Sequence, residues 1–359
     1  MKPSILLLNW RDPWHPRAGG AEFLTLRILE RLVERGYPVE WFSSRYAGCA
    51  EDESKGGIRY VRRGSEATVH LAAYRRYGKR TDLGYVVDEI NTIPFYAMAY
   101  RSGKKIAYIN QLAREIWLYE GGMLAPFGYI AEPLYLIPYR NSPIITISES
   151  SKQTLRGIGL HGEIAVIPMN VDEPPIQTLT PKVSQDIVIV ARLARSKRIE
   201  HAIEAAAIMR QHQWSGALNI VGGTKDQRYE RQLRKLCERR LGSQGKVWGR
   251  VTTQQRRALQ QSASILWMTS AREGWGLVVT EAARLGTPSV VYDVPGLRDA
   301  VKDGRTGYVV APSPRALADA SLRMLSEGVA AFAERARDDS ARLSWDGTAD
   351  AFEGALLAL

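Results

Sequence analysis

Cysteine and histidine are both scarce in this sequence. The two cysteines, Cys49 and Cys237, lie far apart and form no C-x-x-C pair. A disulfide framework and a zinc site are therefore not expected, and a reducing cytoplasm suits the chain. The five histidines show no metal-ligand spacing, and no Ser-His-Asp or Cys-His arrangement is recognisable. The sequence predicts no metal site.

Long apolar runs are missing as well. The opening MKPSILLLNWRDPW contains only a short apolar run and no small-residue cleavage site, so no secretory signal is expected. The uncharged stretch 258–271 is shorter than the roughly 20 apolar residues that span a bilayer. The sequence therefore predicts that the chain does not cross a membrane.

The formal net charge is +11, which favours an anionic partner: nucleic acid, an acidic membrane surface or a phosphorylated substrate. No stacking platform or recognised binding motif accompanies this charge, so nucleic acid is not an expected partner.

What the sequence does contain is the pattern of two α/β domains. Hydrophobic residues make up 45% and charged residues 24%, as in soluble globular proteins, and 359 residues exceed one ordinary core. Each half opens with an apolar strand, at 4–10 and 186–192, and then alternates helix and strand patterns. We predict two doubly wound Rossmann-like domains, 1–175 and 176–342, that face each other across a cleft, and a closing helix in 343–359 that could pack back on the first domain.

The glycines of AGGAE, Gly19 and Gly20, follow the first strand and lead into the first helix. Bare backbone N–H groups at a helix start form a phosphate cradle in outline. The stretch is not G-x-G-x-x-G, so no dinucleotide fingerprint is present. A tight turn without a ligand explains the same glycines equally well.

Two cations follow the first strand of the second half. Arg192 ends the strand and Lys197 lies five residues later, at a helix start. Ligands of open α/β sheets bind outside the carboxyl ends of strands, so this pair could neutralise a diphosphate. The alternative is a solvated basic corner formed by Arg195, Lys197 and Arg198.

The stretch REGWGLVVTEAARLGTP, 272–288, places Glu273 in a glycine-rich loop and Glu281 inside the following helix. The first N–H groups of that helix are unpaired and could hold phosphate, while carboxylates accept hydrogen bonds from sugar and ribose hydroxyls. Taken singly, Glu281 could equally be a capping or surface residue.

These motifs together resemble the retaining nucleotide-sugar glycosyltransferases of the GT-B fold, specifically glycosyltransferase family 4. The resemblance covers nearly the whole chain and rests on AGGAE at 18–22, ARLARSK at 191–197, VWGRVTTQQ at 247–255, EGWGLVVTEAARLGTPSVV at 273–291 and GLRDAVKDGRTGYVV at 296–310.

The resemblance implies a role for each matching position. Arg192 and Lys197 would hold the diphosphate, and Glu273 would orient the donor sugar; these three are the predicted catalytic residues. Glu281 would bind the ribose, and the base would lie near Arg250. The full predicted donor site is Gly19, Gly20, Arg192, Lys197, Arg250, Val251, Glu273, Gly274, Trp275, Gly276, Leu277, Val278 and Glu281.

The implied reaction transfers a sugar from a nucleoside diphosphate sugar, such as a UDP- or GDP-sugar, to a hydroxyl acceptor with retention of configuration. It uses neither a metal nor a cofactor, and it belongs to cell-surface glycan, glycolipid or polysaccharide biosynthesis. Two alternatives stay open: a sugar-nucleotide epimerase, which would need proton-transfer residues that are not recognisable, and a non-catalytic nucleotide-sugar-binding subunit.

The acceptor, a saccharide or a lipid-linked molecule, is expected in the first domain. The candidate residues near strand ends and in the glycine loop are His15, Asp88, Glu89, Asn110, Arg114 and Glu115. The apolar segment 121–140 and the basic segment 70–80 could rest on an anionic membrane surface, at the inner face of the membrane. Core packing explains both segments nearly as well.

Overall fold

The computed structural model describes residues 2–359 and divides into two compact units. The first unit holds residues up to Arg114, Phe127–Asn170 and Ser344–Leu359; the second holds Glu115–Pro126 and Val171–Leu343. The prediction gave 115–126 to the first domain. The structure groups it with the second because its side chains pair there: Glu115 with Arg272 at 2.5 Å, and Glu120 with the hydroxyl of Ser196.

The chain alternates strands and helices along both units. The strands are β1 Ile5–Leu8, β2 Val39–Ser43, β3 Asp52–Lys55, β4 Ile58–Arg62, β5 Tyr85–Glu89, β6 Lys104–Tyr108, β7 Ile144–Thr146, β8 Ile164–Val166, β9 Ile187–Val190, β10 Leu218–Val221, β11 Gly245–Gly249, β12 Ile265–Met268, β13 Ser289–Tyr292 and β14 Gly307–Val310. The helices are α1 Gly20–Glu34, α2 Val69–Tyr77, α3 Glu115–Glu120, α4 Ala125–Tyr135, α5 Glu149–Gly157, α6 Ile199–Gln211, α7 Gln227–Leu241, α8 Thr253–Ser262, α9 Leu277–Arg284, α10 Leu297–Ala300, α11 Pro314–Glu327, α12 Val329–Ala341 and α13 Trp345–Leu357.

The first unit is built on an eight-stranded sheet in the order β3-β4-β2-β1-β5-β6-β7-β8. Its strands are parallel except β3, which pairs with β4 in the antiparallel sense. The central strand β1, with the sequence ILLL, is buried at every position, as expected of a parallel strand covered on both faces.

The closing helix α13 packs against α1 within the first unit. Phe23 and Trp345 meet edge to face, with ring centroids 6.4 Å apart. Glu353 accepts hydrogen bonds from Lys2 at 2.9 Å and from the hydroxyl of Tyr37 at 2.7 Å, and Arg35 pairs with it at 2.6 Å. These donors lower the pKa of the Glu353 carboxyl to about 2.

The second unit is a six-stranded parallel sheet in the order β11-β10-β9-β12-β13-β14. After β11 the chain crosses to the other side of β9, so the strand order reverses between β9 and β12. In doubly wound sheets this reversal opens a crevice at the carboxyl ends of the strands, where ligands bind. The predicted pair of Rossmann-like α/β domains is confirmed. The reversal point marks where a ligand of the second unit is expected.

Candidate functional site

The centre of the candidate site is an ion pair between Lys197 and Glu273. Lys197 follows β9 and Glu273 follows β12, so the pair lies where the strand order reverses. The Lys197 Nζ atom is 2.5 Å from Glu273 Oε1, and the Ser270 hydroxyl donates to the same oxygen at 2.7 Å. Within residues 2–359, the second carboxylate oxygen of Glu273 has no hydrogen-bond partner, so it remains able to accept one from a ligand.

The two loops that carry this pair are tied together by hydrogen bonds. The Ala271 N–H donates to Ser196 O at 2.7 Å, and the Thr269 hydroxyl donates to Lys197 O at 2.7 Å. The guanidinium of Arg198 donates to Thr269 O at 2.9 Å and to Ser270 O at 2.7 Å. Arg198 is therefore an anchor, and the alternative of a solvated basic corner is wrong for it and for the paired Lys197.

The start of helix α9 lies close to Glu273 because two glycines, which lack a side chain, allow tight backbone packing there. Gly276 has φ +99°, and a Cβ there would lie 2.9 Å from the Leu297 side chain. Gly296 has φ +83°, and a Cβ there would lie 2.3 Å from the carbonyl oxygen of Glu273. Among the described residues, no side chain caps the helix start. The first N–H groups of α9, at Leu277 and Val278, are thus available to an anion.

Glu281 lies in the second turn of α9 and is neither a cap nor a free surface residue. It pairs with Arg256 of α8. Burial raises the pKa of the Glu281 carboxyl, and the Arg256 charge opposes that rise. Arg256 could not be recognised from the sequence, because the pattern of its helix is that of a polar surface helix.

The remaining predicted donor residues line the neighbouring strand ends. Arg192 is exposed just after β9, and in the part of the chain from residue 2 onward it has no hydrogen-bond or ion-pair partner. Arg250 is exposed after β11, and a Cβ on Gly223 would lie 3.4 Å from its Nε. Val251 packs against the core of the unit. The Trp275 indole donates to the Thr280 hydroxyl at 2.9 Å, which fixes the loop that holds Gly274.

The glycine turn of the first unit already carries a carboxylate. Helix α1 begins at Gly20, and the N–H of Gly19 donates to Glu22 Oε2 at 2.7 Å. Glu22 is buried and pairs with Arg11 at 2.6 Å. The structure therefore places Gly19 and Gly20 in a different unit from the Lys197–Glu273 pair, at a helix start that the chain caps itself.

Glu89 and Asn110 come together at the carboxyl ends of β5 and β6. Glu89 is 1% exposed, and its Oε1 accepts from the Thr25 hydroxyl at 3.0 Å and from the Asn110 amide at 3.3 Å. Its Oε2 is buried without a partner among the described residues. Burial, with the nearby charge of Glu22, raises the pKa of Glu89 to about 8.

This raised pKa predicts a pH-dependent stability. The ordinary pKa of glutamate, 4.5, lies below the folded value of about 8, so the folded chain binds more protons than the unfolded chain between these values. The free energy of unfolding should therefore fall as pH rises through this window.

Glu89→Gln copies the protonated acid and cannot ionise. We expect it to remove this part of the decline, making the variant more stable than the parent by roughly 4–5 kcal/mol at pH 9 and by less than about 1 kcal/mol at pH 5. Urea unfolding at several pH values, with Glu238→Gln on an exposed helix face as the control, measures the difference. A stability difference that does not change with pH would show that Glu89 ionises normally.

The other acceptor candidates are held by internal contacts. Asp88 is buried and accepts hydrogen bonds from the N–H groups of Phe95 and Ala97 and from the Tyr139 hydroxyl. Burial raises the pKa of Asp88 to about 6. These three donors give Asp88 a structural part in the first unit.

His15, Arg114 and Glu115 are the remaining acceptor candidates. His15 is buried rather than at a loop surface, and burial lowers the pKa of its imidazole. Arg114 lies over the Tyr129 ring at 4.0 Å, with φ +37°. Glu115 belongs to the second unit.

No helix from residue 2 onward combines the length and the apolarity needed to cross a bilayer. In the same part of the chain, no group of three or more His, Cys, Asp or Glu side chains is placed to hold a metal ion.

Comparison with known proteins places this geometry in a family context. Residues 172–340, nearly the whole second unit, match the family model described as glycosyl transferases group 1. A glycogen synthase of Mycobacterium tuberculosis is 32% identical over 210 residues, which are 56% of this chain and 50% of that protein. An uncharacterized glycosyltransferase of Methanocaldococcus jannaschii is 29% identical over 357 residues, 90% of this chain and 89% of that one. The chain spans between 21% and 50% of the length of the first curated relatives that it matches.

Solved structures share the fold over the full length. A sucrose-phosphate synthase from Thermosynechococcus elongatus superposes with a TM-score of 0.77 at 20% identity, covering 99% of this chain and 98% of the other. The Anabaena protein Alr3699/HepE, solved in complex with UDP-glucose, gives a TM-score of 0.72 at 15% identity and covers 100% of both chains. The second unit therefore matches the glycosyl transferases group 1 model, and the whole chain shares the GT-B fold of these solved structures.

Proposed function

We propose that the chain transfers a sugar from a nucleoside diphosphate sugar to a hydroxyl acceptor, with retention of configuration, as the resemblance to family 4 implies. The observation that carries the proposal is the Lys197–Glu273 pair, 2.5 Å apart at the reversal point of the second sheet. It lies beside a helix start that no described side chain caps.

Each element of the site has a part in the proposed chemistry. Cleavage of the bond between sugar and phosphate puts negative charge on the leaving diphosphate. Lys197, Arg192 and the N–H groups at the start of α9 would stabilise that charge in place, which is the kind of preorganised electrostatics that contributes most to catalysis. The proposal gives these groups the charge neutralisation that a metal ion supplies in other transferases.

The free oxygen of Glu273 would accept a hydrogen bond from a sugar hydroxyl, since an ionised carboxylate is a strong acceptor. Glu281, further along α9, would accept one from the ribose. The departing phosphate would take the proton of the attacking hydroxyl, so the proposal requires no separate protein base.

The proposal extends to the acceptor and its setting. We assign a saccharide or lipid-linked acceptor to the first unit, and the cytoplasmic inner face of an anionic membrane as the surface where it is met. A place in glycan, glycolipid or polysaccharide synthesis follows from an acceptor of that kind. UDP complexes among the structural neighbours support a UDP-sugar as the first donor to test.

Binding of the donor can be tested without an acceptor. A nucleotide that binds the folded chain at about 100 times its Kd should raise the free energy of unfolding by about 2.7 kcal/mol. We therefore expect UDP or GDP to raise the melting temperature by a few degrees, with the double variant Arg192→Ala/Lys197→Ala losing the shift. Lys225→Ala, an exposed lysine near β10, is the matched control.

Nucleoside diphosphate release on addition of acceptor then distinguishes transfer from binding alone. A chain that binds the nucleotide and releases none with any acceptor would be a binding subunit, and interconversion of the sugar without an acceptor would make it an epimerase. Either result would overturn the proposed transfer.

A further inference from the structure

Helix α4 exposes its apolar side chains and buries its charged one, which is the opposite of an ordinary surface helix. Its Phe127, Ile130 and Leu134 side chains are 72%, 64% and 58% exposed, and Ile137 in the following turn is 60% exposed. Their spacing of three, four and three residues puts them on one side of the helix. The apolar face of this helix is therefore directed outward.

The charge on the same segment is directed inward. Glu132 is the only charged residue between Gly121 and Tyr139, and it is 2% exposed. Its two oxygens accept the N–H groups of Ala113 at 2.6 Å and Arg114 at 2.7 Å. This arrangement fixes the rotation of α4, so the outward apolar face is set by an internal hydrogen-bond pair.

The apolar face continues onto neighbouring elements of the first unit. Tyr96, 38% exposed, packs near Tyr139 with ring centroids 6.4 Å apart. Ile93, 49% exposed, accepts at its carbonyl from the His70 ring of α2 at 3.2 Å. Helix α2 adds two exposed side chains, Leu71 and Tyr74. We call this set, with α4, the apolar face.

Positive charge borders the apolar face. Between residues 67 and 114 the chain carries eight Lys and Arg residues against three acids. Two of those acids, Asp88 and Glu89, are buried, and the third, Asp82, pairs with Arg80 at 2.6 Å. Arg75 and Arg76 are exposed at the end of α2. The α2 end of the apolar face is therefore basic.

We propose that the apolar face and the basic end of α2 dock on an anionic lipid bilayer. Apolar side chains enter the boundary between headgroups and acyl chains, while cations attract anionic headgroups, and interfacial proteins combine both features. Helix α4 has 11 residues, too few to span a bilayer, so it would lie in the interface. The inference rests on the proposed function only in linking this surface to a lipid-linked acceptor.

A second copy of the chain fits this surface less well. Two copies meeting through it would bring their basic borders together, and like charges oppose association. A protein partner would need an acidic surface to complement the basic border. Among the described residues, the chain itself has no acidic segment on this face. The charge therefore favours the bilayer as the occupant.

Sedimentation of the full chain with lipid vesicles tests the proposal. We expect the protein to pellet with phosphatidylcholine vesicles that contain roughly one-third phosphatidylglycerol, and to pellet far less with pure phosphatidylcholine or at high salt. The triple variant Phe127→Ser/Ile130→Ser/Leu134→Ser should bind at least about tenfold more weakly, because three apolar side chains no longer enter the interface. Arg75→Ala/Arg76→Ala should weaken binding to anionic vesicles alone, about fivefold for each cation.

Leu357→Ser is the matched control, because Leu357 is 61% exposed on α13 and should leave vesicle binding unchanged. Circular dichroism of each variant reports the fold. Equal binding by the triple variant and the parent would overturn the proposal. So would self-association of the parent, measured by analytical ultracentrifugation, that the triple variant abolishes. Nucleotide thermal shifts report the second unit separately, so failure of the donor site and failure of membrane docking give different results.

Discussion

Replacing Glu273 with Gln is expected to lower the turnover number for sugar transfer by about 100-fold or more. The amide keeps the size of the side chain but carries no charge, so Lys197 loses its ion partner at 2.5 Å and the sugar loses a charged hydrogen-bond acceptor. The side chains of the pair are only 15% and 16% exposed, but the glutamine amide oxygen can still accept from Lys197 and from the Ser270 hydroxyl. We therefore expect the free energy of unfolding to change by no more than about 2 kcal/mol.

Substitutions of two other glutamates distinguish an effect on the turnover number from an effect on donor binding. Glu281→Gln should act mainly on the donor KM, because its proposed ligand is the ribose, which does not change during transfer. Glu238→Gln, on the exposed face of α7, should change neither constant. Initial rates of nucleoside diphosphate release across donor concentrations give both constants. A Glu273→Gln variant with a near-normal turnover number would remove Glu273 from the proposed mechanism.

The local part of the donor site could be predicted from the sequence. A buried strand, a glycine-rich loop and a helix ending at a glycine are short-range patterns, and they gave β12, the loop at Glu273 and α9 within a residue or two. The Lys197–Glu273 contact could not be predicted by the same means. The two residues are 76 positions apart, and they meet only because β12 crosses to pair with β9.

Polar residues at strand ends were harder to interpret. Asp88 and Glu89 end β5, and sequence position alone suggested that both could face a ligand. The structure buries both, because turns after the strand bring backbone N–H groups to Asp88 and the side chains of Thr25 and Asn110 to Glu89. Such donors come from other elements, so strand position did not reveal them.

The direction of helix α4 shows a related limit. Periodicity identifies an apolar stripe, and the usual expectation is that the stripe faces the core. Here the only charged side chain, Glu132, is held inside by two backbone N–H groups that lie 18 and 19 positions earlier. The sequence left membrane contact and core packing about equally open, and the exposed fractions of Phe127, Ile130 and Leu134 exclude core packing for these three side chains.

Replacing Arg284 should strongly destabilise the second unit. Its side chain is 5% exposed, and it donates to the carbonyls of Val171 and Glu173, each at 2.8 Å, and of Leu343 at 2.8 Å. It also donates to Ser340 O at 3.4 and 3.2 Å. These carbonyls lie at two of the four places where the chain passes between the units, after residue 170 and before residue 344.

Arg284→Met keeps much of the apolar volume but leaves these buried carbonyls without their donor. Each unsatisfied buried carbonyl costs about 1–3 kcal/mol. Burial lowers the pKa of the Arg284 guanidinium, and the charges of Glu173 and Asp172 oppose that shift. We expect the free energy of unfolding to fall by about 3–5 kcal/mol, measured by urea unfolding of the full chain. Arg239→Met, on the exposed face of α7, should change it by less than about 0.5 kcal/mol.

The same change should act locally as well as on global stability. Without the hydrogen bonds from Arg284, the carbonyls of Val171 and Glu173 are no longer held. The segment around them, which contains the proline-rich stretch 170–182, should become more sensitive to limited proteolysis in Arg284→Met than in Arg239→Met. Arg284→Lys should recover only part of the loss, because one ammonium group cannot reach carbonyls on both chain crossings at once. Full recovery by lysine would show that charge alone, rather than the forked geometry of the guanidinium, holds the two crossings.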